Sequence, residues 1–420
     1  MRERLHRSLA NPLLTGSFLV SVGLTVGNIF NYLYHVSMGR MLTPAHYGVL
    51  TALISFMSIF GVFAATMTTV VAKFVSKYRV QDNSSDIAHL LRQLIRRIGL
   101  LVLVVVVLSQ FIVAPIASFL HIEDGILINL TIVGILLAIL VAINSGALQG
   151  LLKFKIMALF GASGSILRLV LALTLVYLGF GLRGAAVGFF LAYLIPYLLT
   201  FFPLGSYIFR KESRKQIQYG PLIKYSLPSF VALVGLSMLL SMDIILVKHF
   251  FTDTDAGRYS ALSVIGRVIF FATSSISMVM FPIIAGKFEQ GKDHTKTFLV
   301  SLLLVFGAGS FATLVYFIFP QALIQLFYNN PSYLVEMHNL GLMGLFFFIY
   351  SLVALFIQYY LSISRTKIVL TSVVASILQV ILIWNFHISL RHVIISSITA
   401  EGLLLILLVG YYLVRVHNEK

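Results

Sequence analysis

The sequence predicts an all-α, polytopic membrane protein whose twelve transmembrane helices form two six-helix bundles. Hydrophobic residues make up 59% of the 420 residues and charged residues only 10%, which is too little charge to cover a water-soluble protein of this length. The apolar residues lie in continuous runs, each long enough to cross a bilayer core of about 30 Å. A segment near residue 45 recurs near residue 255. This repeat indicates that the chain is built from two similar halves.

Each apolar run is interpreted as a helix because strands of a membrane β-barrel would alternate polar and apolar residues over about 10 positions. The first run is too long for the core of a signal peptide and is expected to be retained. The predicted spans are residues 13–38, 46–73, 96–120, 125–148, 156–179, 184–206, 225–250, 256–284, 297–320, 333–361, 367–386 and 391–414.

The basic residues alternate between the two sides of the predicted bundles. With the N-terminus inside, the inward segments hold 23 of the 30 lysine and arginine residues, the outward loops hold five, and two lie within spans. Positive charge near span ends sets orientation, so both termini are predicted in the cytoplasm and the protein in the cell (cytoplasmic) membrane. This distribution accounts for most of the net charge of +16, and no nucleic-acid partner is expected.

The repeat sets the expected domain organisation. MLTPAHYGVLTAL from Met41 aligns with FFTDTDAGRYSAL from Phe250 at an offset of 209, with four identities in thirteen positions. Gln149 and Gln358 share this offset, at the end of the fourth span of each half. Each half holds an even number of spans, so the halves have the same orientation and are related by a pseudo-two-fold axis along the membrane normal. The predicted bundles are residues 1–208 and 209–420.

Charged residues within spans are the first candidates for function, because each costs about 2.5 to 3.5 kcal/mol to insert. Arg168 lies in the middle of the fifth span, in GASGSILRLVLAL, with no acidic residue nearby in sequence. One interpretation is a cation that faces a cavity and binds an anionic substrate. The other is a structural arginine that is hydrogen-bonded to helix carbonyl groups.

Asp243 in the seventh span and Arg267 in the eighth also have two interpretations. A fixed salt bridge between adjacent helices would neutralise both side chains. Alternatively, Asp243 is a carboxylate that binds a proton or cation during transport. The counterparts of these residues in the first half are Tyr34 and Ser58, and the counterpart of Arg168 in the second half is Gln379. The two halves therefore differ in their charged positions.

Several weaker candidates complete the list. Glu401 lies in the last span, and Asn28, Asn31, Tyr32 and His35 form a polar stripe on the first. Asp253 and Asp255 are expected to cap a helix rather than bind a metal. The sequence has no cysteine, no HExxH motif and no Walker loop. No metal site, cofactor or catalytic residue is therefore predicted.

Four segments resemble the polysaccharide (lipid-linked oligosaccharide, O-antigen type) flippases of the multidrug/oligosaccharidyl-lipid/polysaccharide exporter superfamily. They are NYLYHVSMGRMLTPAHYGVLTALISF, ALQGLLKFKIMALFGASGSILRLVLAL, GLRGAAVGFFLAYLI and SMDIILVKHFFTDTDAGRYSAL. The resemblance implies two six-helix bundles around a cavity that opens alternately to each side. It also implies a substrate made of an oligosaccharide on a polyprenyl pyrophosphate, which is flipped between leaflets.

The resemblance assigns roles to the candidate residues. Arg168 and Arg267 are expected to bind the diphosphate, because arginine suits bidentate phosphate contact. Asn31, Gln149 and Gln358 are added as substrate-binding candidates, and Asp243 and Glu401 as coupling residues. Membrane lipids and the glycosyltransferases and polymerase of the same pathway are the other expected partners.

Three alternatives stay open at the level of sequence. A cation-coupled drug or metabolite exporter of the same superfamily predicts an acidic cavity. A membrane-embedded polysaccharide polymerase or glycosyltransferase needs a catalytic cluster on a sizeable loop, and no loop exceeds about 25 residues. A silent scaffold of an envelope assembly predicts that all mid-span charges are paired. The sugar, the lipid carrier, the coupling ion, the direction of transport and the oligomeric state do not follow from the sequence.

Overall fold

The computed structural model describes residues 12–208 and 220–418, with side chains for residues 23, 25–208 and 230–414. The charged segment RKESRKQIQYGP, residues 210–221, lies mostly outside this range. The described chain is helical nearly throughout and contains no β-strand in these residues. The predicted all-α class is confirmed.

Six α-helices form the first half of the described chain. A π-helical turn, Val176–Phe180, joins the fifth to the sixth, and Gly179 within this turn has φ of 92°. The helices are α1 Pro12–Met41, α2 Pro44–Val80, α3 Ser84–Leu120, α4 Gly125–Gly150, α5 Phe154–Leu175 and α6 Gly181–Ile208.

The second half, as described from residue 220 onward, has more and shorter helices. A 3₁₀ segment, Pro331–Asn339, precedes its most buried long helix. The helices are α7 Gly220–Leu239, α8 Met242–Phe250, α9 Asp253–Glu289, α10 Thr295–Ile318, α11 Pro320–Tyr328, α12 Leu340–Ser362, α13 Thr366–Val369, α14 Thr371–Asn385 and α15 Leu390–Asn418.

The helices have the length and composition of membrane spans. Within the described residues, nine helical stretches are long and apolar enough to cross a bilayer, or ten if α7 and α8 are counted as one bent span. One stretch, Phe154–Ile208, is 55 residues long. At about 1.5 Å per residue it exceeds two bilayer cores of about 30 Å each, so it accounts for two predicted spans. The protein is a multi-pass membrane protein, and the number of twelve spans stays a prediction.

The chain separates into two compact units. Unit 1 comprises residues 1–41 and 60–226, and unit 2 comprises residues 42–59 and 227–420. Helix α2 therefore contributes its first part to unit 2 and its remainder to unit 1. The predicted bundles, 1–208 and 209–420, stay a prediction.

In unit 1, close helix contacts depend on small residues. A Cβ atom on Gly146 of α4 would lie 2.5 Å from the Thr68 carbonyl oxygen, and one on Gly150 would lie 2.7 Å from that of Ala72. Both carbonyl groups belong to α2. Two glycines one turn apart thus let α4 pack directly on the α2 backbone, as small residues do at membrane helix interfaces.

In unit 2, the two copies of the sequence repeat pack against each other. A Cβ atom on Gly48 would lie 2.6 Å from the Gly257 nitrogen, so the starts of α2 and α9 are in backbone contact. Thr51 donates a hydrogen bond of 2.6 Å to Ser260, its partner at the offset of 209. The N-cap of α9 is Thr252, whose hydroxyl accepts from the Asp255 amide and donates to the Asp255 carboxylate. Of the two aspartates expected to cap this helix, Asp255 takes part in the cap, and Asp253 pairs with Lys248 instead.

The structure breaks the predicted seventh span, 225–250, into two helices. Helix α7 ends at Leu239 and α8 begins at Met242, with a bend of 43° between them. The break lies at Leu240 and Ser241, where no proline or glycine occurs. Carbonyl groups freed by such a break need partners within the membrane, and these partners are polar side chains of unit 2.

Candidate functional site

In unit 1, the Arg168 side chain is held by residues from two other helices. Arg168 lies on α5, and its Nη1 donates a hydrogen bond of 2.6 Å to Oδ1 of Asn31 on α1. Its Nη2 lies 3.3 Å from the hydroxyl of Tyr193 on α6. Helix α1 packs closely on α5, since a Cβ atom on Gly23 would lie 2.9 Å from the Cβ atom of Ala158. The structure thus brings together two of the predicted residues, Arg168 and Asn31.

Aromatic rings cover one face of the Arg168 guanidinium group. Its central carbon lies 4.0 Å from the centre of the Phe189 ring and 5.4 Å from that of Tyr193. Tyr34, fully buried on α1, packs edge-on against Phe189. Cation–π contacts of this kind contribute about 0.5 to 2 kcal/mol, the larger value when water is excluded. The rings therefore fix the plane of the guanidinium group.

Arg168 retains hydrogen-bonding capacity. Arginine has about five N–H donors, of which Asn31 and Tyr193 take one each, and Nε makes no hydrogen bond. Among the described residues no carboxylate forms an ion pair with Arg168. An uncompensated cation with free donors in a membrane helix is suited to an anionic ligand.

A cavity of about 470 Å³ lies beside Arg168, within unit 1. This volume falls in the usual range of small-molecule sites, roughly 300 to 1,000 Å³. Glycine and alanine residues of α1 and α5 form part of the wall. The polar side chains that line it are those of Asn28, Asn31, Ser145, Ser165, Arg168 and Tyr193.

In unit 2, polar side chains bind the carbonyl groups at the end of α7. Arg267 on α9 donates through Nη2 to the Leu240 carbonyl, at 2.8 Å. Gln379 on α14 donates to the Leu239 carbonyl at 3.2 Å and to the Ser397 hydroxyl at 3.0 Å. The predicted charge at Arg267 therefore lies at the break in the seventh span, where it satisfies backbone groups that would otherwise lack partners.

Asp243 and Glu401 form a buried acidic pair beside this break. Tyr259 donates a hydrogen bond of 2.9 Å to Oδ2 of Asp243, and Oδ1 makes none. Glu401 on α15 is fully buried, and neither of its carboxyl oxygens is hydrogen-bonded; it interacts electrostatically with Asp243. In the described structure, Asp243 and Arg267 do not form an ion pair; Arg267 acts on Asp243 only at longer range.

The two polar sites occupy corresponding positions in the two halves. The dipeptide Leu182–Arg183 at the start of α6 matches Leu390–Arg391 at the start of α15, at an offset of 208. The same offset relates Phe189 to Ser397 and Tyr193 to Glu401. A cationic site in unit 1 thus corresponds to an acidic site in unit 2.

The remaining predicted residues lie apart from these contacts. Gln149 is exposed at the end of α4 and is not among the residues that line the unit 1 cavity. Gln358 is half-buried on α12. The substrate-binding and coupling roles of all seven predicted residues stay predictions.

Sequence reasoning missed Phe189, Tyr193 and Tyr259, each of which contacts a predicted site residue. It also missed Ser397, which is hydrogen-bonded to Gln379. Aromatic and hydroxyl side chains are common in membrane helices, so none stands out in an apolar run. The match of Leu182–Arg183 with Leu390–Arg391 was the available signal, because it aligns Tyr193 with Glu401.

Comparison with solved structures shows which known proteins share this fold. The chain superposes on the inward-facing conformation of a multidrug resistance MATE family transporter of the MOP superfamily with a TM-score of 0.77 and 14% identity, over 95% of this chain and 98% of the other. It superposes on the lipid II flippase MurJ, in an inward closed conformation, with a TM-score of 0.75 and 17% identity, over 94% and 87%. The chain therefore shares its fold with these two membrane proteins.

The sequence profile described as "polysaccharide biosynthesis protein" matches residues 13–288. Since this is well over half of the chain, the protein belongs to the polysaccharide biosynthesis protein family, as its sequence segments predicted. A search of curated protein sequences finds no match.

Proposed function

We propose that the protein is an alternating-access membrane transporter, not an enzyme, that flips an oligosaccharide linked to a polyprenyl pyrophosphate for cell-surface polysaccharide synthesis. The observation that carries the proposal is Arg168, a cation within a membrane helix that has free donors, no carboxylate partner and a cavity beside it. Membership of the polysaccharide biosynthesis family and a fold shared with a lipid II flippase support the same substrate class.

Arg168 binds the diphosphate in this proposal. A phosphate group in hydrocarbon lacks every hydrogen bond that water supplies, so its unaided passage is prohibitive. The guanidinium group provides a fixed, planar set of donors that matches two phosphate oxygens. Asn31, Tyr193 and Phe189 hold this group in place before the ligand arrives, which lowers the ordering cost of binding.

Asp243 and Glu401 couple transport to an ion in this proposal. One carboxyl oxygen of Asp243 and both of Glu401 are buried without a hydrogen bond. Burial of such groups is costly, and binding a proton or a cation lowers that cost. Both groups lie beside the broken span α7–α8, and broken helices are where secondary transporters place their ion sites. Arg267 stabilises the break through its hydrogen bond to the Leu240 carbonyl. Gln149 and Gln358 are not assigned a direct contact with the substrate.

A flipping assay tests the proposal. The full-length protein is reconstituted in vesicles with a fluorescent polyprenyl pyrophosphate oligosaccharide, and a membrane-impermeant quencher reports the fraction of label that has crossed. Wild type is expected to accelerate crossing, and Arg168→Ala is expected to abolish the acceleration while inserting normally. Arg183→Ala is the matched control, because Arg183 is an exposed arginine paired with Asp124.

A cation-coupled exporter of amphiphilic drugs is the second candidate. The acidic pair of unit 2 and the fold shared with a multidrug transporter favour it. Vesicles loaded with a cationic dye distinguish the two functions. Dye export that depends on Glu401, together with no flipping of the lipid-linked oligosaccharide, would replace the flippase proposal.

A further inference from the structure

We infer that the unit 1 cavity contains a second subsite, formed by Asn28, Ser145 and Ser165, that binds the hydroxyl groups of the sugar next to the phosphate. The inference rests on the proposed function, because it assigns Arg168 to the phosphate of the same ligand. It adds the residues that select for the sugar, none of which the family match or the fold match assigns.

The three residues are polar and unused by the protein. Asn28 comes from α1, Ser145 from α4 and Ser165 from α5, and all three line the cavity of about 470 Å³. Among the described residues, none of their side chains makes a hydrogen bond to the protein. Other hydroxyl groups on the same helices differ: Ser163 of α5 donates to the Phe160 carbonyl at 3.0 Å. Ser163, which does not line the cavity, thus has a partner, whereas Ser165 on the same helix lines the cavity and has none within the described residues.

The chemistry of the three groups matches a sugar. A serine hydroxyl both donates and accepts, and an asparagine amide provides an acceptor and two donors. Sugar hydroxyl groups likewise donate and accept, so each of the three side chains can act as donor or acceptor to a sugar hydroxyl. In a membrane segment, an unpaired polar group costs free energy. A polyhydroxylated ligand satisfies all three groups at once, whereas an apolar drug satisfies none.

The walls of the cavity leave room for a ring. Gly27 and Gly161 contribute no side chain, and a Cβ atom on Gly161 would meet no neighbouring atom within 4 Å. A Cβ atom on Gly27 would lie 3.4 Å from the Ser165 hydroxyl, so the glycine keeps that hydroxyl accessible. The phosphate subsite at Arg168 and the sugar subsite therefore share one cavity, as the two parts of a glycosyl phosphate require.

Binding of soluble head-group analogues tests the inference. The purified full-length protein is titrated calorimetrically with methyl phosphate, glucose 1-phosphate and N-acetylglucosamine 1-phosphate. Each net hydrogen bond changes an affinity by about two- to tenfold. At least one glycosyl phosphate is therefore expected to bind wild type about tenfold or more tightly than methyl phosphate.

Variants separate the two subsites. Combined Asn28→Ala, Ser145→Ala and Ser165→Ala substitutions are expected to reduce the ratio of glycosyl phosphate to methyl phosphate affinity to about one. Ser163→Ala, the matched control, keeps the wild-type ratio. Gly161→Leu narrows the cavity without a clash at Cβ. It is expected to lower the same affinity ratio, and it replaces the triple variant if that variant folds poorly.

The outcomes distinguish this inference from the function on which it rests. Methyl phosphate binding that requires Arg168, with no preference for any glycosyl phosphate, overturns the sugar subsite and leaves the flippase proposal standing. A preference that survives both the triple variant and Gly161→Leu also overturns the subsite. Absence of all phosphate binding by wild type contradicts the flippase proposal and the subsite together.

Discussion

At the scale of single residues, the central feature is how Arg168 is held. Two hydrogen bonds and an aromatic face fix its guanidinium group, and the rest of its donors face no protein acceptor. A merely structural arginine would use its donors on helix carbonyl groups, as Arg267 does with Leu240. The two arginines within predicted spans thus differ in their partners, side chains for Arg168 and a backbone carbonyl for Arg267, although the Nε of each is unpaired. Their different roles stay predictions.

Phe189 provides a test of this preorganisation. Phe189→Leu keeps an apolar side chain but removes the cation–π contact, so phosphate affinity should fall roughly 2- to 30-fold. Calorimetric titration with methyl phosphate measures the change. Phe202→Leu on the same helix, at a ring that is 84% exposed, is the control and should leave the affinity unchanged. Equal affinities for wild type and Phe189→Leu would show that the ring does not orient Arg168.

The acidic pair of unit 2 gives a second residue-scale prediction. Glu401→Gln removes the ionisable group and keeps the shape of the side chain, so flipping should lose its response to an imposed proton or sodium gradient. Gradient-driven flipping in vesicles measures this response. Glu123→Gln, at an exposed position between α3 and α4, should respond like wild type. An unchanged response in Glu401→Gln would remove that residue from the coupling proposal.

At the scale of elements, the broken span α7–α8 shows what sequence could and could not predict. Continuous apolar runs predicted the spans because burial in lipid requires about 20 apolar residues and helical backbone pairing. The break at Leu240 and Ser241 carries no proline or glycine, so no local signal marks it. It depends on Arg267 and Gln379, which reach the freed carbonyl groups from other helices. Contacts between helices of this kind, including Phe189 on Arg168, have no signature within one segment.

The Arg267→Ala substitution tests whether Arg267 stabilises the break between α7 and α8. Arg267→Ala leaves the Leu240 carbonyl without its donor, which should cost about 1 to 3 kcal/mol of unfolding free energy. Thermal unfolding of the purified protein measures the loss, with exposed Arg183→Ala as the control. Methyl phosphate affinity should stay at the wild-type value. A loss of phosphate affinity with unchanged thermal stability would instead make Arg267 a substrate contact.

The contact between the two repeat copies gives another prediction for elements. A Cβ atom on Gly257 would lie 1.8 Å from the Pro44 carbonyl oxygen, which is backbone and has little freedom to move. Gly257→Ala should therefore destabilise the protein by about 1 to 3 kcal/mol through overpacking. Gly286→Ala on the same helix meets open space and is the matched control. Equal thermal unfolding of the two variants would show that this backbone contact is not needed for stability.

At the scale of the whole molecule, duplication supplies a scaffold that the two halves use differently. The repeat and the basic-residue count predicted similar halves of one orientation, and the fold is shared with a MATE family transporter and with the lipid II flippase MurJ. Corresponding positions hold Arg168 with Tyr193 in one half and Gln379 with Glu401 in the other. In the proposed function, this difference separates anion binding in one half from ion coupling in the other.

The predicted orientation can be measured directly because the chain has no cysteine. Gln81→Cys lies in a predicted inward loop and Glu123→Cys in a predicted outward loop, and both positions are exposed. In intact cells, a membrane-impermeant maleimide should label Glu123→Cys and label Gln81→Cys only after lysis. The opposite pattern would reverse the topology that the basic residues predict.

The most direct test of the flippase account compares two lipids that share the same oligosaccharide and polyprenyl chain. One carries the pyrophosphate, and the other has a neutral linker in its place. Reconstituted wild type should flip the pyrophosphate lipid and not the neutral one, and Arg168→Ala should flip neither. Equal flipping of both lipids, or flipping of the pyrophosphate lipid by Arg168→Ala at the wild-type rate, would contradict the account.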